Sequence, residues 1–165
     1  MITQEILHQQ FNYDPETGLF FRKKKTSNNA YVTKPSGWDN GSGYIKLCIE
    51  SKLQFAHRMA WLYVYGELPN KDVDHINGNK SDNRICNLRI TSRSENMQNT
   101  EKFKTNTSGY KGVTWLKKEK KWLAQITKNY QHFNIGMFET AEEAYAAYCK
   151  AAKEMHTHNR MVEYV

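Results

Sequence analysis

Cysteine is scarce in this chain. The 165 residues hold three, Cys48, Cys86 and Cys149, far apart and without a CxxC pair. That spacing argues against a zinc ribbon or a disulfide framework and suits a reducing compartment. Long apolar runs are also missing, so no segment reads as a membrane span. No charged-then-apolar leader opens the chain, and a cytoplasmic protein is expected. Apolar residues make up 39% and the mean hydropathy is −0.83, which allows modest cores in one ordinary domain or two small ones. Acid is short as well. Seventeen Asp and Glu face 24 Lys and Arg, a net charge of +7, and the pI is about 9.2. Such an excess points to a polyanionic partner. Aromatic residues, at 13%, are too plentiful for a disordered chain.

The densest polar chemistry lies in 73–99, VDHINGNKSDNRICNLRITSRSENMQN. Residues 72–76 alternate as a short strand does. Asn77-Gly78-Asn79 is a turn signal, since Asn and Gly tolerate positive φ. Residues 87–91 alternate again, so a returning strand opening at Asn87 is expected. Ser92 and Glu95 have capping-box spacing and start a helix that carries Arg93, Asn96 and Asn99. The predicted order is strand, loop, strand, helix.

These residue types suit phosphodiester hydrolysis, which needs an activated water, charge stabilisation and positioning. Neutral His75 is a candidate general base near pH 7. Asp74 and Asn96 offer hard oxygens, which suit Mg²⁺ or Mn²⁺ better than Zn²⁺. Asn87 is placed to hydrogen-bond His75 and fix its tautomer. Arg93, one turn before Asn96, is a candidate phosphate contact. Arg84 and Arg89 read as structural or general backbone contacts, and His57 as a core-facing or capping histidine. Taken singly, the Asp-His pair, the Asn-Gly-Asn turn, Asn87 and Asn96 are each better explained as a surface pair, a turn or a cap; taken together, their order and spacing favour a site.

The series Asp74-His75-Ile76-Asn77-Gly78, Asp82-Asn83-Arg84, Asn87-Leu88-Arg89 and Glu95-Asn96 resembles the HNH endonucleases of the ββα-metal fold, above all phage and intron-encoded homing endonucleases. The lead-in 56–61 and 66–69 is similar too, so the likeness covers roughly 44–99. The resemblance implies one divalent metal per active site, Mg²⁺ or Mn²⁺, on Asp74 and Asn96, with His75 as general base and Asn87 orienting it. Where the family often has a third His, this chain has Asn96, as in the intron-homing branch. A phage-encoded protein acting in a bacterial host is implied.

Upstream, 2–10 reads as a short helix. Asp14-Pro15-Glu16-Thr17-Gly18 is a turn between two aromatic strand-like runs. Arg22 to Lys25 form a cationic run, and 27–30 and 34–37 read as loop. Residues 44–50 alternate as a strand, 54–56 return as a second, and 57–65 form a helix ended by Gly66, with Pro69 blocking a restart.

The polar stretch 101–107 is a candidate linker. Beyond it, 111–116, 122–128 and 132–136 alternate as strands, with 117–121 a charged connection. Thr140 and Glu143 form a second capping box. The helix that follows lines up Ala141, Tyr145, Tyr148, Ala152 and Met155 on one face. Period two assigns Val113, Trp115, Trp122, Ala124, Ile126, Phe133 and Ile135 to the helix side, and Thr114, Leu116, Leu123, Gln125, Thr127, His132 and Asn134 to the other. Residues 102–128 hold eight lysines and one glutamate, the whole of the chain's net charge.

Tyr110-Lys111-Gly112-Val113, Trp122, Ala124, Ile126, Gly136, Phe138 and Thr140-Ala141-Glu142-Glu143-Ala144 with Tyr148 resemble the AP2 DNA-binding domain over about 108–152. That family lays a three-stranded sheet in the major groove, which admits a β-ribbon. The resemblance places Lys111, Thr114, Gln125, Thr127, His132 and Asn134 nearest DNA, with backbone contacts from Lys117, Lys118, Lys120 and Lys121. His156 and His158 read as a polar tail; 161–165 fits either an edge strand or a segment packed back.

The expected fold class is therefore α+β. Residues 1–100 hold hairpins and a ββα-metal core (44–99), 101–107 a linker, and 108–165 a sheet packed on one helix. Three functions compete. The first is an HNH-type endonuclease on double-stranded DNA, nicking or cutting both strands, as monomer or homodimer. The second is a DNA-binding regulator on a decayed nuclease scaffold, against which the intact Asp74-His75 pair argues. The third acts on RNA, whose A-form groove fits such a sheet poorly.

Overall fold

The computed structural model describes residues 1–25, 31–100 and 106–158. The loop expected at 27–30, most of the expected linker and the tail from 159 lie outside the described residues. The chain packs as two compact units, Met1–Thr91 and Ser92–Val165. No helix of the described residues is long and apolar enough to cross a membrane.

The first unit opens with helix α1 (Gln4–Gln10), capped by Thr3. Strands β1 (Phe11–Asp14) and β2 (Leu19–Arg22) form the expected hairpin, and β3 (Pro35–Ser36) adds to β2. Asp14 ties the turn by accepting from Glu16 N at 3.0 Å and Thr17 Oγ1 at 2.7 Å. A second sheet joins β4 (Trp38–Asp39), β5 (Ile45–Ile49) and β6 (Lys52–Phe55). Glu50 and Ser51 link β5 to β6 at φ 48° and 60°, the twist that two-residue hairpin turns require. Helix α2 (Ala56–Tyr65) ends at Gly66, φ 83°, whose N–H reaches Leu62 O at 3.0 Å. Strands β7 (Asp72–His75) and β8 (Leu88–Thr91) pair antiparallel. A 3-10 turn at Ile85–Asn87 precedes β8, so Asn87 ends a turn and does not open the strand. One apolar core runs through the unit, from Leu7, Phe11 and Phe20 to Leu47, Ile49, Met59, Ala60, Val73 and Leu88.

The second unit begins with α3 (Arg93–Asn99), which carries the full Ser92–Glu95 capping box. Strands β9 (Val113–Leu116), β10 (Lys121–Lys128) and β11 (Gln131–Phe138) form an antiparallel sheet in the order β11-β10-β9. Helix α4 (Ala141–Met155) starts at the predicted Thr140–Glu143 box. It packs Ala141, Ala144, Tyr148 and Ala152 over Val113, Ala124 and Ile126. The register slips between Ala124 and Gln125, whose partners are Gly136 and Asn134, so Ile135 bulges and still reaches the core. Trp115 and Phe133, expected on the helix side, are 39% and 41% exposed. Both stand on the outer strands and belong to neither core cluster; Trp115 packs against Trp122 at 5.0 Å.

Candidate functional site

Asp74 and His75 end β7, and both are buried. The register sets Asp74 opposite Arg89. Asp74 Oδ2 accepts from Arg89 Nε at 3.2 Å and Nη2 at 3.0 Å, an opposite-charge cross-strand pair. This gives Arg89 the structural part expected of it.

His75 Nε2 lies 3.2 Å from Asn83 Oδ1. Asn83 Nδ2 donates to Ser81 O at 3.1 Å, which identifies Oδ1 as the acceptor facing the imidazole. Nε2 therefore carries the proton and Nδ1 the lone pair, the tautomer a base needs. Burial lowers the His75 pKa; the Asn83 hydrogen bond and then the charge of Asp74 pull the other way. A neutral ring at pH 7 follows, as general-base work requires.

Asn87 does not take the part expected of it. Its side chain accepts from Asn77 N at 3.0 Å and donates to Asn77 Oδ1 at 3.0 Å and Asp82 O at 2.8 Å. From the end of a 3-10 turn it faces the loop, so it ties residues 77–82 together and leaves His75 to Asn83. The loop is self-bonded elsewhere too. Asn77 Oδ1 accepts from Asn79 N at 2.8 Å, and Asn77 Nδ2 donates to Asp82 Oδ2 at 2.8 Å. Arg84 holds Asp82 through Nε at 2.8 Å and Nη2 at 2.6 Å, which lowers the Asp82 pKa.

The N-terminal hairpin braces this loop. Tyr13 Oη donates to Asn83 O at 2.7 Å, and Ile85 N to Pro15 O at 3.2 Å. Gly18 sits at φ 74°, where a Cβ would fall 2.5 Å from the Asn83 carbonyl carbon. Only glycine allows both that φ and that approach. Two rings back His75: His57 at 5.0 Å, edge-on, and Tyr44 at 6.0 Å. Burial pushes the His57 pKa down to about 3, and its Nδ1 has no hydrogen-bond partner among the described residues. Sequence reasoning placed Asn83 in the motif without a role and gave none to Tyr13 or Tyr44. Their only signal was the aromatic hairpin and the Asp-Asn-Arg triplet.

Arg93 and Asn96 stand on α3, in the second unit, with Arg93 exposed and Asn96 half-buried. Among the described residues no three His, Cys, Asp or Glu side chains gather as a metal cage. The Asp74 carboxylate and the Asn96 amide oxygen are each donors of the hard type that Mg²⁺ or Mn²⁺ takes.

On the sheet, Gln125 pairs with Asn134 and Thr127 with His132 across β10 and β11. Thr127 Oγ1 lies 2.8 Å from His132 Nδ1. Thr114, Thr127, His132 and Asn134 are exposed and Gln125 is half-buried. Lys117, Lys118 and Lys120 are exposed on the β9–β10 turn, and Lys121 reaches Glu139 at 2.9 Å. Lys111 is engaged at the end of α3. Its Nζ donates to Gln98 O at 2.7 Å and Thr100 O at 2.6 Å, because the last carbonyls of a helix attract a cation. The histidine tail is pinned as well: His156 Nε2 lies 2.9 Å from Thr127 O, and His158 N donates to Gln98 Oε1 at 3.3 Å.

A family model of the HNH endonuclease matches residues 54–98, and one of the AP2 domain matches 108–158. The chain carries an HNH endonuclease domain followed by an AP2 domain. This HNH protein is similar to Protein 3.8 of Escherichia phage T7, with 31% identity over 101 residues, 61% of this chain and 83% of that one. No solved structure matches it significantly. The HNH match covers β7, the loop and β8; the AP2 match covers the sheet and α4 and gives the family protein a DNA-binding domain.

Proposed function

We propose that the protein is a metal-dependent endonuclease of the homing type that hydrolyses double-stranded DNA in the cytoplasm of a bacterial host. The observation that carries this is His75, buried and neutral, with Nε2 committed to Asn83 and Asp74 beside it. His75 Nδ1 takes the proton of a water whose oxygen attacks phosphorus. The P–O3′ bond breaks and O3′ takes a proton from solvent, leaving a 5′-phosphate and a 3′-hydroxyl. A Mg²⁺ or Mn²⁺ ion held by Asp74 and Asn96 would stabilise charge on the phosphate and on the leaving oxygen. Asn83 and Asn87 hold the loop that positions His75, and Arg93 contacts phosphate. Residues 108–158 place the duplex through Thr114, Gln125, Thr127, His132 and Asn134, with Lys117, Lys118, Lys120 and Lys121 on the backbone. One site per chain makes one nick, so a double-strand break takes two chains or two encounters.

A supercoiled plasmid carrying the target, incubated with Mg²⁺, tests this. Wild type is expected to nick it, and His75→Ala to bind it without nicking. The second reading, DNA binding without cutting, draws on the Arg89 fork that already neutralises Asp74. It gains if neither protein nicks.

A further inference from the structure

Helix α3 carries Arg93 and Asn96, yet it is built into the DNA-binding unit. The manner of attachment is unusual for a helix. No α3 side chain belongs to either apolar cluster of that unit. The α3 side chains that are buried, Gln98 and Asn99, are polar, while Met97 is 47% exposed. A cavity of about 460 Å³ lies between α3 and the sheet, bordered by Met97, Lys111, Thr127, His132 and Tyr148. Hydrogen bonds hold α3 instead. At one end Asn129 N donates to Ser94 Oγ at 3.1 Å. At the other, Lys111 Nζ caps the carbonyls of Gln98 and Thr100. There too, Gln98 Oε1 accepts from Thr157 N at 3.1 Å and from His158 N at 3.3 Å.

We propose that Lys111 is a positioning residue for the nuclease reaction. It anchors α3 to the DNA-binding sheet and so fixes where that unit presents Asn96 and Arg93. This rests on the assignment of Asn96 to the metal. Among the described residues α3 joins no apolar cluster of its unit and is held by directional contacts, of which the ammonium on its last carbonyls is a charge-assisted one. Lys111 lies two residues before the start of β9, so the strand meant to meet DNA and the helix bearing the metal ligand share one fastening. Recognition and cutting are joined through it.

The experiment compares wild type, Lys111→Met, Lys111→Arg and Gln98→Leu. Three quantities are read: duplex affinity without metal, single-turnover nicking at saturating DNA with Mg²⁺, and amide exchange of 93–100. In Lys111→Met, nicking is expected to fall roughly ten-fold or more, the scale of removing a group that orients a metal ligand. Affinity should stay within about two-fold and the salt slope unchanged, while α3 amides exchange faster. Lys111→Arg restores the rate. Gln98→Leu removes the acceptor for residues 157 and 158 but leaves both Lys111 bonds to backbone oxygens in place, so it should stay closer to wild type in rate and α3 exchange than Lys111→Met; Lys111→Gln carries the test if Lys111→Met does not fold. Weaker binding with a slope lowered by about one and full nicking at saturation would make Lys111 a phosphate contact and overturn the proposal. Unchanged exchange of α3 overturns it too. If wild type itself does not nick, the nuclease assignment fails, and the exchange data alone decide whether Lys111 anchors the helix.

Discussion

Arg89 and Asp74 face each other across β7 and β8, with both fork nitrogens, Nε and Nη2, on a single carboxylate oxygen at 3.2 and 3.0 Å. The two side chains are 22% and 11% exposed, so solvent screens the pair little. Removing Arg89 takes this ion pair away from a buried carboxylate. Arg89→Met is expected to lower stability by about 2 kcal/mol, the value of hydrogen bonds to a charged group. A divalent ion would then replace the missing charge. Thermal melts with and without Mn²⁺ should therefore show a larger metal-induced rise for Arg89→Met than for wild type. Equal rises would mean Asp74 takes no metal.

Asn83 holds His75 Nε2 and is itself fixed through Ser81 O and Tyr13 Oη. Asn83→Leu is expected to cut the nicking rate by roughly 10- to 100-fold with little change in DNA affinity. Burial lowers the His75 pKa and the Asn83 bond opposes it. Without that bond the acid limb of the pH–rate profile should move to lower pH. A limb moving to higher pH contradicts the assigned hydrogen bond.

The acid sensitivity of the first unit should be traceable to His57. Its pKa falls from 6.5 to about 3 on folding. Between those values the unfolded chain binds a proton and the folded one does not. Stability is thus present above pH 6.5 and is lost as pH falls towards 3, at most about 1.4 kcal/mol per pH unit for one group. His57→Phe keeps the ring and removes the titration. Chemical denaturation at pH 7.5 and 5 should give a smaller gap for the variant than for wild type.

Salt dependence tests the β9–β10 turn. Converting Lys117, Lys118 and Lys120 to Met should flatten the log affinity–log salt slope by about 0.9 for each phosphate no longer neutralised. Lys121, paired with Glu139, should contribute less when replaced alone. An unchanged slope in the triple variant would mean that the turn does not touch the backbone.

Both capping boxes, the Asp14–Gly18 turn and the alternation of β7, β8 and β10 were legible because each is encoded within a few neighbouring residues. The slip at Ile135 was not, since strict alternation cannot anticipate an extra residue on one strand. The misplaced role of Asn87 came from reading its segment as strand when it begins as a 3-10 turn. The contacts of Asn83 were hidden for a different reason. Its carbonyl meets Tyr13, 70 residues away in sequence, and no local pattern reports such a closure. The helix-end contacts of Lys111 were hidden likewise. A lysine beside a strand resembles a phosphate contact until the helix end next to it is known.

Gly18 pressed against the Asn83 backbone has a consequence for anyone seeking a minimal nuclease. Residues 54–98 contain the whole signature by which the family is known, but an excised fragment of that length would lose the hairpin that keeps its histidine loop in shape. A fragment meant to keep that loop in shape must include β1 and β2, and deleting this hairpin should loosen the loop before any residue of the signature is touched.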